Sequence, residues 1–287
     1  MVASTIGEAF EAMTILLFCD MEGVAGIQCW EQTGGSSPLY EEGRRLYTQE
    51  VNAAVRGLRS GGATCIVAQD GHGGSYPNAK AFMNWIPDQL EAGAEYVRGY
   101  RWAAYVEPLR NGECSAVAFL GAHARAGNEF GVLCHTVSAD GWHRVLVNGI
   151  EVGESEILTA IAGSFGVPAV CISGDDAACE ELADRIGEGL VRVPVKWGLS
   201  RYAARSLAPV AARERIEAGF CAAVRDRERW PAPLRFQSPV TVTVEFASPD
   251  RMAAYLAYPG TRQLDSRTIA AEGGTFYDAW KCLWKAA

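Results

Sequence analysis

The 287-residue chain has no CxxC pair among its nine cysteines, only four histidines, no block of like charge and no apolar run of membrane-spanning length. Each shortage removes a class of function. Nine is an odd number, and several cysteines sit inside apolar runs such as ATCIVA and AVCIS, where a free thiol behaves as a small hydrophobe. That argues against a disulfide framework and for a reducing, cytoplasmic setting. A net charge of −8 without a basic patch speaks against a nucleic-acid surface. The apolar stretches stop well short of the roughly 20 residues of a membrane helix, and MVASTIGEAFEA lacks the basic start of a secretory signal. Residues 1–12 are expected to be an extension to a fold that begins at Met13.

What is present is an ordinary globular balance, 49% hydrophobic and 21% charged, ordered as alternating strands and helices. The run TILLFC reads as a strand covered on both faces. EEGRRLYTQEVNAAVRGLRSGG follows as an amphipathic helix that stops at Gly61-Gly62, and ATCIVAQD is the next strand. Such a βαβ unit makes the two strands parallel, with their carboxyl ends on one side. SAVAFLG and VPAVCIS continue the pattern, and Asn148-Gly149 within HRVLVNGIEV marks a hairpin. SPVTVTVEF alternates as a strand buried on one face. These signals predict a doubly wound α/β core with a mostly parallel sheet and helices on both faces over residues 13–195, and a smaller α+β portion over 196–287.

The chemistry-bearing residues gather at strand ends. Asp20 and Glu22 follow the first strand, Asp70 and His72 the second, and His123 another; loops at that edge of an open α/β sheet surround a crevice. Histidine nitrogen with carboxylate oxygen suits zinc and its first-row neighbours. The plainer alternatives stand beside this: Asp20 and Glu22 also read as turn caps, and Glu154 as a first-turn acid favoured by the helix dipole. Asp175 and Asp176 read as helix-start residues, Asp70 as a partner of a metal-bound histidine, and Lys196 and Arg201 as anion contacts. His143 opens the run HRVLVNG and reads as structural. A strand ending in DMEG with a later SGDD also has features of haloacid-dehalogenase-like magnesium phosphatases. Against that, Glu22 replaces their second Asp and the strand-end histidines are left idle.

The ordered set DMEG, DGHGG, GAHARA, CHTV, NGIEVGE and SGDD resembles the DppA-type D-aminopeptidases, a family of zinc metallopeptidases, from about Met13 onward. The resemblance implies two zinc ions per chain held by Asp20, Glu22, His72, His123 and Glu154, and His135 as the catalytic histidine; two-metal hydrolases need a bridging carboxylate, and Asp20 is the residue expected to supply it. It implies release of an N-terminal, D-configured residue from short peptides or small amides by a metal-activated water, and a ring-shaped homodecamer. A non-catalytic peptide-binding component of dipeptide uptake is the remaining alternative. The loop VAGIQCWEQTGGSSPLY matches no family pattern, and loops at this edge shape the pocket that sets substrate preference.

Overall fold

The computed structural model describes residues 12–74 and 81–284; residues 1–11 of the expected extension lie outside them. The run TILLFC forms β1 (Thr14–Cys19), and α1 (Pro38–Gly61) returns the chain to β2 (Cys65–Asp70). Helix α1 starts where Ser37 Oγ accepts from the Tyr40 N–H, and ends at Gly62, whose φ of 112° only glycine adopts readily. Strands β1 and β2 pair in parallel with Thr14 opposite Cys65, as the βαβ pattern requires. The edge strand β3 (Glu95–Val97) joins β2. The chain then passes through the short α2 (Glu107–Arg110) to β4 (Ala116–Ala122), which pairs on the opposite side of β1.

Next come β5 (Trp142–Val147), β6 (Ile150–Val152), α3 (Glu154–Ser164), β7 (Ala169–Asp175), α4 (Asp176–Ile186), β8 (Val191–Ser200), β9 (Ala203–Ser206) and α5 (Pro209–Arg225). The last elements are β10 (Val240–Phe246), α6 (Pro249–Ala253), β11 (Thr261–Gln263), β12 (Thr268–Gly273) and α7 (Phe276–Leu283). Seven strands make a sheet in the order β3-β2-β1-β4-β7-β8-β9, parallel except for β9. Five others make an antiparallel sheet, β11-β12-β10-β5-β6.

The pleat of β1 sends alternate side chains to opposite faces and so builds two cores. Ile15, Leu17 and Cys19 pack with Val51 and Leu58 of α1 and Ile216 and Phe220 of α5. Leu16 and Phe18 pack with Ile157 and Ile161 of α3 and reach Val145 and Val242 of the small sheet. The small sheet crosses the expected division at 195: β5 and β6 precede it, while β9 and α5, after it, belong with the large sheet. A two-stranded hairpin is marginal alone, and β5–β6 gains its third strand from β10, where Val145 faces Val244.

The order of strands positions the site. From β1 the chain winds outward to β3, then returns to β4 on the other side of β1. The carboxyl ends of β1 and β4 therefore flank a switch point, where the flanking loops part and leave a crevice. Among the described residues, no helix is long and apolar enough to cross a membrane.

Candidate metal centre

Two glycines let the ends of β1 and β4 lie against each other. The Gly23 N–H donates to the Gly121 carbonyl at 2.8 Å, and the Asp20 N–H to the Leu120 carbonyl at 2.8 Å. A Cβ on Gly121, which has φ of 69°, would stand 1.9 Å from the Asp20 carbonyl oxygen; one on Gly23 would stand 2.0 Å from that of Ala122. This close approach brings Asp20 and Glu22 beside His123. On the other flank the Gly71 N–H donates to the Cys19 carbonyl at 2.8 Å, and the chain turns to present His72. Glu154 enters as the first residue of α3, with Glu156 Oε2 accepting from the Gly153 N–H at 2.7 Å.

The side chains converge in two clusters, Asp20–Glu22–His72 and His123–His135–Glu154. Asp20 touches both. Its Oδ1 lies 3.0 Å from His72 Nδ1 and its Oδ2 lies 3.3 Å from His123 Nε2. Glu22 Oε2 is 3.0 Å from His72 Nδ1, and Glu154 Oε1 is 3.3 Å from His123 Nε2. His135 stacks on His123 with ring centroids 4.1 Å apart and planes 9° from parallel; its Nε2 is 3.7 Å from Glu154 Oε1. The edge of Trp30 meets the His135 ring at 5.5 Å.

Backbone carbonyls decide which imidazole nitrogens carry protons, because a carbonyl only accepts. His72 Nε2 faces the Thr33 carbonyl at 2.7 Å, His123 Nδ1 that of Ala124 at 3.0 Å, and His135 Nδ1 that of Leu133 at 2.9 Å. In neutral rings the opposite nitrogens then turn lone pairs toward carboxylates, an arrangement that calls for a cation between them. The hydrogen bonding agrees: Glu22 Oε2 and His123 Nε2 are buried without a hydrogen-bond partner.

The electrostatics point the same way. Burial alone would lower the His72 imidazole, but the carboxylates of Glu22 and Asp20 hold it well above its ordinary value. His123 is raised likewise against burial, by Glu154 and Asp20. Asp20, which burial would raise, is held well below the usual carboxylate range by His123 and His72. The pocket thus favours positive charge among these groups, and a bound divalent cation supplies it with deprotonated ligands. His135 differs: burial, then the neighbouring His123, push it below its ordinary value.

All six expected residues therefore meet at one place. Others do not join them. Asp70 steadies His72 through the backbone and not the ring: its Oδ1 accepts from the His72 N–H at 3.3 Å, and the carboxylate also accepts from Asn84 and Tyr47. Lys196 is wholly buried and donates to the carbonyls of Glu22, Val24 (3.1 Å) and Ile27 (2.6 Å), so it shapes the loop after β1, with the carboxylates of Asp175, Glu50 and Glu22 as its neighbouring charges. Asp175 accepts from the Val132 N–H at 2.6 Å. Arg201 lies over the rings of Trp30 and Tyr202. With Lys196 committed to backbone carbonyls, the phosphatase-like pattern loses its lysine. His143 is exposed at the start of β5. Sequence reasoning misses Thr33, Trp30 and Asn84, since their roles depend on contacts between distant segments; the one local signal is that Trp30 and Thr33 lie in the loop that matches no family pattern.

The clusters open into a cavity of about 770 Å³ whose lining includes Trp30, Phe82, Trp102, Trp142, Tyr258 and Trp284. A smaller recess of about 30 Å³ lies behind Asp20, His123 and Glu154, closed by Phe18, Phe119 and Leu158.

The chain is 25% identical over 273 residues to a D-aminopeptidase of Bacillus subtilis (strain 168), covering 94% of this chain and 95% of that one. Among solved structures it resembles the Zn-dependent D-aminopeptidase DppA from Bacillus subtilis, a self-compartmentalizing protease, with a TM-score of 0.81 and 25% identity over 94% of this chain and 95% of that one. The model of the peptidase M55 family, D-aminopeptidase, matches residues 13–285, and the chain belongs to that family.

Proposed function

We propose that the protein is a zinc-dependent aminopeptidase that releases an N-terminal D-residue from short peptides or amides. The observation that carries this reading is Asp20, which offers one carboxylate oxygen to each of two clusters of nitrogen and oxygen ligands. Asp20, Glu22 and His72 would hold one ion, and His123 and Glu154, with the second Asp20 oxygen, would hold another. Bound zinc supplies Lewis-acid polarisation of the scissile carbonyl and lowers the pKa of a water toward about 7.

The chain's own groups supply the rest. With zinc bound, the uncharged α-amine of a peptide would be captured at a metal or by a nearby acid, which suits an exopeptidase. His135, neutral and anchored through Nδ1 to the Leu133 carbonyl, keeps Nε2 available to take a proton and return it to the leaving nitrogen. Trp30 and His123 flank its ring and fix its plane. With amine and carbonyl fixed, a side chain of the opposite configuration would strike a different wall, which is the basis for stereoselectivity. The self-compartmentalizing relative supports an oligomer for this chain as well, and the decamer implied by the family resemblance is part of the proposal.

Elemental analysis and turnover test the reading together. Two zinc ions per chain are expected, with D-Ala-D-Ala and D-Ala amide cleaved and the L forms cleaved poorly. One magnesium with phosphate-ester hydrolysis would sink it. Tight peptide binding without turnover by the fully zinc-loaded protein would favour a binding component instead.

A further inference from the structure

The small sheet and its helices close one side of the cavity with aromatic rings, and nothing in the metal chemistry calls for them. Trp142 comes from the start of β5, Tyr255 and Tyr258 from the turn after α6, and Trp284 from the end of α7. Trp284 stacks on Trp102 at 5.7 Å and 27°, and Trp142 meets Tyr255 edge-on at 5.7 Å. Tyr255 and Tyr258 meet at 5.7 Å. These rings form a continuous wall, and Tyr255, Tyr258 and Trp284 are only partly buried, so each presents ring surface to the cavity. The wall adjoins the metal ligands through Trp102, which lines both the cavity and the recess behind Asp20, His123 and Glu154.

The two spaces differ in size. A peptide whose amine and first carbonyl sit at the metal ligands places its first side chain next to the recess, whose 30 Å³ is about the volume of one small group. The chain beyond the cut has the 770 Å³ cavity and its aromatic wall. Arg101 also lines that cavity, with its guanidinium 5.2 Å over the Trp284 ring.

We propose that the site selects short peptides in which a small N-terminal residue is followed by one with an aromatic or large apolar side chain. This rests on the aminopeptidase reading above and adds the identity of the second residue. The ring of that residue would stack or pack edge-on against Tyr258 and Trp284, the arrangements aromatic pairs favour.

The test compares D-Ala-D-Phe and D-Ala-L-Phe with D-Ala-D-Ala and D-Ala-L-Ala on the zinc-loaded protein. The better phenylalanyl substrate should exceed its alanyl counterpart in kcat/KM by about tenfold or more, the scale on which apolar pockets discriminate. Tyr258→Ala, and separately Trp284→Ala at unchanged zinc content, should shrink that ratio several-fold. Equal kcat/KM for the pairs, or a ratio untouched in both variants, would overturn the proposal while leaving the aminopeptidase reading intact. If no dipeptide is cleaved, the aminopeptidase reading fails and calorimetric titration decides the pocket separately. Tighter binding of the phenylalanyl dipeptides, lost in the variants, then supports the wall, and equal binding rejects it.

Discussion

His123 and His135 stack ring on ring, yet their surroundings push them in opposite directions, His123 up and His135 down. Divergent environments for adjacent titratable groups are a mark of divided labour. His123→Ala should lose at least one zinc together with activity, measured by elemental analysis beside turnover. His135→Ala should keep its zinc and fold but lower kcat by roughly 10²-fold or more, the usual scale for a positioned proton carrier. Near-normal turnover by that variant would remove His135 from the mechanism. His143, exposed on β5, serves as the control: alanine there should change stability by no more than about 0.5 kcal/mol and leave kcat alone. In the sequence, strand ends single out His72 and His123, and the family resemblance singles out His135; the fold adds the carbonyl partners and neighbouring acids that set each ring's proton and charge.

At the level of elements, the site depends on how closely β1 and β4 approach. Gly121→Ala places a methyl 1.9 Å from the Asp20 carbonyl oxygen at a φ of 69°, so the two strand ends must separate. Denaturant unfolding should show a loss of about 1–3 kcal/mol or more, with zinc affinity falling in parallel. Gly149, at the β5–β6 turn, has a similar φ of 81° but nothing within 4 Å of a Cβ. Alanine there should cost only the left-handed penalty, about 1–2 kcal/mol, and leave zinc binding unchanged. If both variants lose zinc equally, strand contact is not what sets the ligand geometry.

For the whole molecule, the proposed metal centre and a buried carboxyl each predict a dependence of stability on conditions. Chelation should lower the thermal midpoint and zinc should restore it, because an ion that binds only the folded state stabilises it by about 2.7 kcal/mol at a hundred times its Kd. A second dependence comes from Glu50 on α1, buried where its Oε1 accepts from the Ala25 N–H at 3.0 Å. Burial pushes its carboxyl up to about 8, against about 4.3 in an unfolded chain. The folded state therefore binds more protons between those values, and Glu50 makes stability fall as pH rises through that window. Glu50→Gln keeps the acceptor and removes the charge. Its advantage in thermal midpoint over the wild type should be smallest near pH 5 and widen toward about pH 8; a constant gap would mean that Glu50 does not ionise in the fold.

The sequence by itself carried the parallel core and the expectation of six candidate site positions, which the fold brings together. Apolar runs that end in Asp20, His72 and His123 carry their own strand signal, and α1 carries its own stop at Gly62, because strand and helix patterns are local properties of the chain. The family resemblance added Glu154 and His135, which local pattern could not single out. Tertiary structure alone decided the rest. The pairing of β5 with β10 joins residues about a hundred positions apart, and Lys196 reaches back to three carbonyls near β1. The Thr33 carbonyl sets the proton on His72, and the aromatic wall draws Trp102, Trp142, Tyr255 and Trp284 from four separate segments. Such contacts arise from packing one element on another, so no local pattern of residues encodes them, and they fix which nitrogen faces the metal site and what the cavity beside it accepts.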